Sequence, residues 1–135
     1  MKKDLAERKL VMVVEDDPSL RELLSYNLEE AGYAVAAFEN VMGAEDSLKE
    51  RMPDLFILDW MLPGRENGIE WCQRLRRREA TKDTPIIIVT ARGEPIDREL
   101  AIHVKANEYI EKPFGIQELL SIVDKYLDEE MRVIL

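Results

Sequence analysis

Short apolar runs alternate along the chain with longer stretches in which apolar side chains recur every three or four residues. The runs are typical of strands covered on both faces, and the longer stretches are typical of amphipathic helices. The predicted strands span residues 10–14, 34–38, 55–58, 86–89 and 109–110. Successive strand–helix units predict an α/β fold in which a five-stranded parallel sheet carries helices on both faces.

Local signals predict where the helices begin and end. Asp17 is a typical N-cap and Pro18 a typical first helical residue, and Gly32 ends the first helix. The other helices are predicted over residues 43–51, 69–78, about 95–104 and 116–127. Trp71 is predicted to pack the third helix.

The length of 135 residues suits one domain, predicted over 1–135 with a core at about 9–128. The tail from Met131 to Leu135 is apolar; it packs on the body, forms an interface, or begins a segment that lies beyond this chain. Cys72 is the only cysteine, which fits a reducing compartment, and a place inside the packed core is expected for it.

The net charge of −9 argues against binding of a nucleic-acid backbone by this chain. The basic run at 74–78 is interpreted as the solvated C-terminal end of a helix. No apolar run approaches the roughly 20 residues of a membrane span, and the N-terminus lacks an apolar signal core. We therefore expect a cytoplasmic protein that binds neither nucleic acid nor membrane.

Chemically reactive side chains follow four of the five predicted strands. They are Glu15 and Asp16, Asp59, Thr90 and Lys112. Ligands of such sheets bind beyond the carboxyl ends of the strands, so these side chains are expected to converge on one edge. Crowded carboxylates raise one another's pKa unless a cation holds them, and carboxylate oxygens are the ligands that Mg²⁺ prefers. The sequence therefore predicts a magnesium site, whereas the neighbouring Asp17 is assigned to helix capping.

Four motifs carry a family resemblance: V-V-E-D-D at 13–17, L-D-W-M-L-P-G at 58–64, V-T-A at 89–91 and Y-I-E-K-P-F at 109–114. In this order and spacing, the chain from about Leu10 to Leu127 resembles a bacterial response regulator receiver domain of the OmpR/PhoB type. The resemblance implies a CheY-like, flavodoxin-like fold with strand order 2-1-3-4-5. It also implies a cis peptide bond before Pro113.

The resemblance implies a role for each site residue. Asp59 would be the nucleophile that accepts a phosphoryl group, and Lys112 and Thr90 would contact the oxygens of that group. Glu15, Asp16 and Asp59 would hold Mg²⁺ together with the backbone carbonyl of Met61. Tyr109 would be the aromatic switch residue, turning inward when Thr90 moves.

The implied function is that of a phosphorylation-operated switch. The donor would be a sensor histidine kinase or a histidine phosphotransfer protein. The chain would acylate itself and would not be an enzyme with an outside substrate, retaining at most an intrinsic autophosphatase activity. Haloacid-dehalogenase phosphatases share acyl-phosphate chemistry but need an acid two residues after the nucleophile, where this chain has Met61.

The chain also departs from the family pattern. The loop L-P-G-R-E-N-G after Asp59 is one residue longer than usual, and Lys105 stands where glycine is common, so we expect the fourth helix to end differently. Pro95 fits the first position of that helix and leaves Ile96 exposed. His103 is expected at or near the surface, away from the acids.

The family's dimer face, formed by the fourth helix, fifth strand and fifth helix, uses basic residues where Ile122 and Asp124 stand here. Ile96, Ile122 and Tyr126 would give a more apolar contact with a partner or a second copy of the chain. Alternatively, they are isolated apolar side chains on the surface, which are common in folded proteins and do not indicate an interface.

Three functions remain open from the sequence. The chain is a stand-alone signalling switch, the regulatory part of a transcription factor whose winged-helix domain lies outside it, or a pseudo-receiver that binds partners without phosphorylation. The complete set of reactive residues argues against the pseudo-receiver.

Overall fold

A computed structural model describes residues 4–128 of the chain. The strands are β1 (Leu10–Val14), β2 (Ala34–Phe38), β3 (Leu55–Asp59), β4 (Ile86–Thr90) and β5 (Glu108–Glu111). The helices are α1 (Pro18–Glu30), α2 (Val41–Ser47), α3 (Gly68–Arg76), α4 (Pro95–His103) and α5 (Ile116–Leu127). All neighbouring strands pair in parallel in the order β2-β1-β3-β4-β5, which confirms the predicted fold and strand order.

The apolar strands are buried because helices cover both faces of the sheet. Alternate residues of a strand point to opposite faces, so the central strands divide their side chains between two clusters. Met12, Phe56 and Ile88 pack with α2, α3 and α4. Val13 and Ile57 pack with α1 and α5 on the other side.

The helix boundaries follow the capping residues. Asp17 caps α1 as predicted, and its side chain accepts a hydrogen bond of 3.0 Å from the Ser19 N–H. The boundaries predicted for α2, 43–51, are wrong. This helix runs from Val41 to Ser47 because Asn40 caps it and accepts from the Gly43 N–H at 2.9 Å.

The end of α4 differs from the expectation raised by Lys105. This residue takes the left-handed conformation itself, with φ of 67°. The Lys105 N–H donates to the carbonyl of Ile102, and the Ala106 N–H donates to that of Ala101. These two bonds form a Schellman motif, so the helix ends in the ordinary way without a glycine, and the expectation of a different ending is wrong.

The basic run at the end of α3 is not a solvated face. Arg74 and Arg78 pair with Glu45 of α2 at 2.8 and 2.6 Å. Arg76 donates to the carbonyl oxygens of Thr84 and Lys105 at 2.7 and 3.0 Å. The run therefore ties α3 to α2 and to the turns at the far edge of the sheet.

Three smaller expectations are confirmed. Cys72 and Trp71 are fully buried in the core, and His103 is exposed.

The tail from Met131 to Leu135 lies outside the described residues. Within residues 4–128, no helix has the length and apolar character needed to cross a membrane.

Candidate metal and phosphoacceptor site

Three acidic side chains meet at the carboxyl edge of the sheet. Glu15 and Asp16 follow β1, and Asp59 is the last residue of β3, the neighbouring strand. One carboxylate oxygen from each of the three lies within 4.8 Å of the other two. Glu15 and Asp59 are buried and Asp16 is exposed, so the cluster is a shallow pocket that opens to solvent on the Asp16 side.

Lys112 enters this pocket from the end of β5. Its Nζ donates to Glu15 Oε1 at 2.8 Å and to Asp59 Oδ2 at 3.1 Å. The peptide bond between Lys112 and Pro113 is cis, as expected. One ammonium group therefore bridges the two buried carboxylates.

The pocket shifts the ionisation of its members. Burial raises the pKa of Glu15 to about 7, although hydrogen bonds from Lys112 and from the Asp17 N–H act in the opposite direction. Burial lowers the pKa of Lys112, but its hydrogen bonds to Glu15 and Asp59 outweigh that effect and leave the pKa above its ordinary value. Lys112 is therefore cationic at neutral pH, whereas Glu15 is partly protonated.

The loop after Asp59 is held close to that residue. The Met61 N–H donates to Asp59 Oδ1 at 3.2 Å, and the Gly68 N–H donates to the Trp60 carbonyl at 3.0 Å. A Cβ atom at residue 68 would overlap the Asp59 carbonyl, so only glycine lets α3 start this close to the site. Met61 thus lies beside the pocket, and the metal-ligand role of its carbonyl stays a prediction.

Thr90 ends β4, which lies between the strands of Asp59 and Lys112. Its side chain is fully buried, and its Oγ1 accepts a hydrogen bond of 3.1 Å from the Arg92 N–H. Thr90 therefore stands at the same edge as the acids and is linked to the loop that leads into α4.

Tyr109 is half-buried on β5 beside that loop. Its hydroxyl donates to the backbone carbonyl of Arg92. Its ring meets the Trp60 ring edge-on, with centroids 6.4 Å apart. Tyr109 thus contacts both the loop after Asp59 and the loop after Thr90.

Sequence reasoning missed one functional candidate, Arg92. Its guanidinium lies 4.7 Å from the centre of the Trp60 ring and forms an ion pair of 2.8 Å with buried Asp97. Asp97 also accepts from the Glu94 N–H, and the capping-box spacing of Glu94 and Asp97 on either side of Pro95 was the sequence signal available for Asp97. Arg92 therefore joins the Trp60 loop to the start of α4.

The residues at the expected dimer face do not form one exposed apolar patch. Ile96 is 72% exposed, as expected, whereas Ile122 and Tyr126 are half-buried and pack on the core. The Tyr33 hydroxyl donates to Asp124. Asp124, which replaces a basic residue of the family pattern, thus has a partner within its own chain.

Comparison with known proteins agrees with this geometry. The family model described as the response regulator receiver domain matches residues 11–124. The phosphate regulon transcriptional regulatory protein PhoB of Rhizobium meliloti is 48% identical over 117 residues, which are 87% of this chain and 51% of that protein. The chain thus spans about half the length of this curated relative.

Two solved structures extend the comparison. The chemotaxis protein CheY4 of Vibrio cholerae has a TM-score of 0.82 at 28% identity, covering 89% of this chain and 99% of that chain. The receiver domain of sensor histidine kinase PA1611 from Pseudomonas aeruginosa PAO1 has a TM-score of 0.80 at 27% identity, covering 90% and 99%. That structure has a magnesium ion coordinated in the active site cleft.

Proposed function

This chain belongs to the response regulator receiver family, and from that premise we propose that it is a phosphorylation-operated switch whose phosphoacceptor is Asp59. Magnesium would be held by Glu15, Asp16, Asp59 and the carbonyl of Met61. Lys112 and Thr90 would contact the oxygens of the phosphoryl group. Tyr109 would turn inward and so alter the surface of the domain on phosphorylation.

One observation carries the proposal: a single ammonium group bridges two buried carboxylates while a third carboxylate lies within 4.8 Å. A pocket with three acids and one fixed cation has the charge to hold a divalent metal ion beside a phosphoryl group. The donor atoms are all oxygens, which fits Mg²⁺ rather than a softer metal.

The proposed reaction is transfer of a phosphoryl group to a carboxylate. An oxygen of Asp59 attacks phosphorus, a new O–P bond forms, and the P–N bond of the donor's phosphohistidine breaks. The electron pair of that bond stays on the donor imidazole. The product is an acyl phosphate on Asp59.

The protein contributes mostly position and charge to such a transfer. Bound Mg²⁺ would supply positive charge to the oxygens of the transferring group. Lys112 Nζ lies 3.1 Å from Asp59 Oδ2. It would exchange this contact for one with an oxygen of the phosphoryl group. Met61 donates its N–H to the other carboxylate oxygen and thereby holds the side chain in place.

The switch is proposed to run from Thr90 to Tyr109 through Arg92. The Arg92 N–H donates to Thr90, and the Arg92 carbonyl accepts from Tyr109. If Thr90 moves towards a phosphoryl group, the loop carrying Arg92 must move with it and the acceptor of Tyr109 is displaced. Phosphorylation would thus shift the equilibrium between the resting form and one with Tyr109 turned inward.

The donor is proposed to be a sensor histidine kinase or a histidine phosphotransfer protein, and the location to be cytoplasmic. A homodimer through α4, β5 and α5 stays a proposal. The charge pairing expected of the family is weakened here, because Ile122 and Asp124 stand where the family pattern has basic residues.

A second candidate function is regulation of transcription. It is favoured by the 48% identity to a transcriptional regulatory protein of which this chain covers 51%. In that case the chain is the regulatory domain of a longer DNA-binding protein. The reading frame beyond Leu135 decides between the two: a winged helix there supports the transcription regulator, and a stop codon supports the stand-alone switch.

Phosphorylation can be tested with acetyl phosphate and Mg²⁺, followed by intact-mass measurement. We expect a gain of about 80 Da, one phosphoryl group, that is absent in Asp59→Asn. Asp17→Asn is the matched control, since it removes a neighbouring acid but keeps a good helix cap, and it should still gain the mass. No gain in the wild type would instead support the pseudo-receiver. Slow loss of the gained mass after removal of acetyl phosphate would measure any autophosphatase activity.

A further inference from the structure

Arg21 of α1 reaches back to the backbone of the two acids that follow β1. Its Nη1 donates to the carbonyl of Glu15 at 2.8 Å and lies 3.4 Å from the carbonyl of Asp16. The side chain is half-buried and sits on the fourth residue of the helix. The guanidinium thus spans the loop that carries two proposed metal ligands.

The two acids differ in how firmly the rest of the chain holds them. The Glu15 N–H donates to the carbonyl of Phe38, and the Glu15 carboxylate accepts from Lys112 and from the Asp17 N–H. Asp16 is exposed, so the direction of its carboxylate depends on how its backbone is fixed. The Asp16 carbonyl accepts a long contact of 3.4 Å from Arg21 Nη1.

We propose that Arg21 is a positioning residue of the metal site. By fixing the carbonyls of Glu15 and Asp16, it holds the Asp16 carboxylate towards Asp59 before the metal ion arrives. Preorganised ligands bind a metal more tightly, because the loop need not be ordered on binding. This inference rests on the proposed function, since it concerns the same magnesium site.

Charge and position make opposite predictions for this residue. If Arg21 acted only as a nearby positive charge, it would repel Mg²⁺, and a neutral replacement would tighten binding. If Arg21 acts by holding the loop, a neutral replacement weakens binding. The sign of the change in Mg²⁺ affinity therefore separates the two roles.

The test uses Arg21→Met, which keeps the length of the stem and removes the donors. Thermal unfolding is followed over a series of MgCl₂ concentrations at constant ionic strength, and the dissociation constant is obtained from the rise in the midpoint. The midpoint in EDTA reports the stability of the metal-free fold separately. A purely structural role would lower the EDTA midpoint without changing the Mg²⁺ dissociation constant.

We expect Arg21→Met to bind Mg²⁺ about tenfold more weakly, the typical effect of losing a group that orients a metal ligand. Arg21→Lys retains a donor and should lie between Arg21→Met and the wild type. Arg77→Met is the matched control, because Arg77 is exposed at the far end of α3. It loses the same charge and should change the affinity by less than about twofold.

Two outcomes overturn the inference and leave the proposed function standing: Arg21→Met binds Mg²⁺ as tightly as the wild type or more tightly, or Arg77→Met weakens binding equally. A wild-type protein whose midpoint does not respond to Mg²⁺, or responds equally in Asp59→Asn, would refute the proposed metal site itself.

Discussion

Lys105 stands in a backbone conformation that favours glycine, and replacing it should stabilise the protein. Its φ is 67°. The same pair of end-of-helix hydrogen bonds closes α1, where Gly32 occupies the equivalent position with φ of 103°. Thus α1 ends in a Schellman motif with glycine and α4 in one with lysine, and the two can be compared directly.

The size of the effect follows from two opposing contributions. A residue with a Cβ atom pays about 1–2 kcal/mol in the left-handed region. Glycine loses about 0.5–1 kcal/mol more conformational freedom on folding than alanine does. The Lys105 side chain is exposed, and its carbonyl keeps the 3.0 Å bond from Arg76 in either variant. Lys105→Gly should thus stabilise the fold by about 0.5–1 kcal/mol, or a few degrees in Tm.

Urea denaturation at equilibrium measures this difference. Lys105→Ala is the matched control: it shortens the side chain but keeps Cβ, so it should not gain the stability of Lys105→Gly. Gly32→Ala should lose about 1 kcal/mol, since nothing lies within 4 Å of the added Cβ and the cost is conformational alone. If Lys105→Ala stabilises as much as Lys105→Gly, the gain comes from removing the lysine side chain and the backbone argument is wrong.

Three further predictions concern the site and its support. Because burial raises the pKa of Glu15 from 4.5 to about 7, its contribution to the stability of the metal-free fold is full below 4.5 and is lost as the pH rises through about 7. Denaturation in EDTA across this range should show that loss in the wild type and not in Glu15→Gln, and the Mg²⁺ affinity should fall as the pH drops below about 7. Gly68→Ala should cost about 1–3 kcal/mol by pushing Cβ into the Asp59 carbonyl and should slow acylation by acetyl phosphate. Gly43→Ala, which lies inside α2 and whose Cβ would meet its nearest neighbour at an ordinary 3.4 Å, should do neither. Glu45→Gln should cost about 1 kcal/mol at neutral pH by removing the partner of two arginines of α3. Burial raises the pKa of Glu45, but hydrogen bonds from those arginines and from a tryptophan leave it below 4.5; the stability gap to the wild type is therefore full above 4.5 and closes as the pH falls below that value.

The sheet and its reactive edge were predictable because each depends on residues adjacent in sequence. A strand buried on both faces must be apolar along its length, so the first polar residue marks its end. In a parallel sheet, those ends share one edge. This reasoning placed Glu15, Asp59 and Thr90 correctly from their position after an apolar run, although Asp59 and Thr90 still belong to β3 and β4.

The contacts between distant side chains were not predictable from a single sequence. Arg92 lies on Trp60 across 32 residues of chain, and Arg78 reaches Glu45 across 33. The sequence of a basic helix end is the same whether its arginines are solvated or paired with an acidic side chain. Their partners are set by how α2, α3 and the loop before α4 pack on the sheet, and sequence spacing does not encode that packing.

The resting pocket compensates only part of its negative charge, and the contacts that do so oppose activation. Lys112 bridges two carboxylates, the raised pKa of Glu15 favours a proton there, and Arg21 holds the adjoining carbonyls from outside. In the proposed mechanism, a divalent ion would displace that proton, and an arriving phosphoryl group would draw Lys112 away from Asp59. Each of these proposed steps would break a contact that stabilises the resting form.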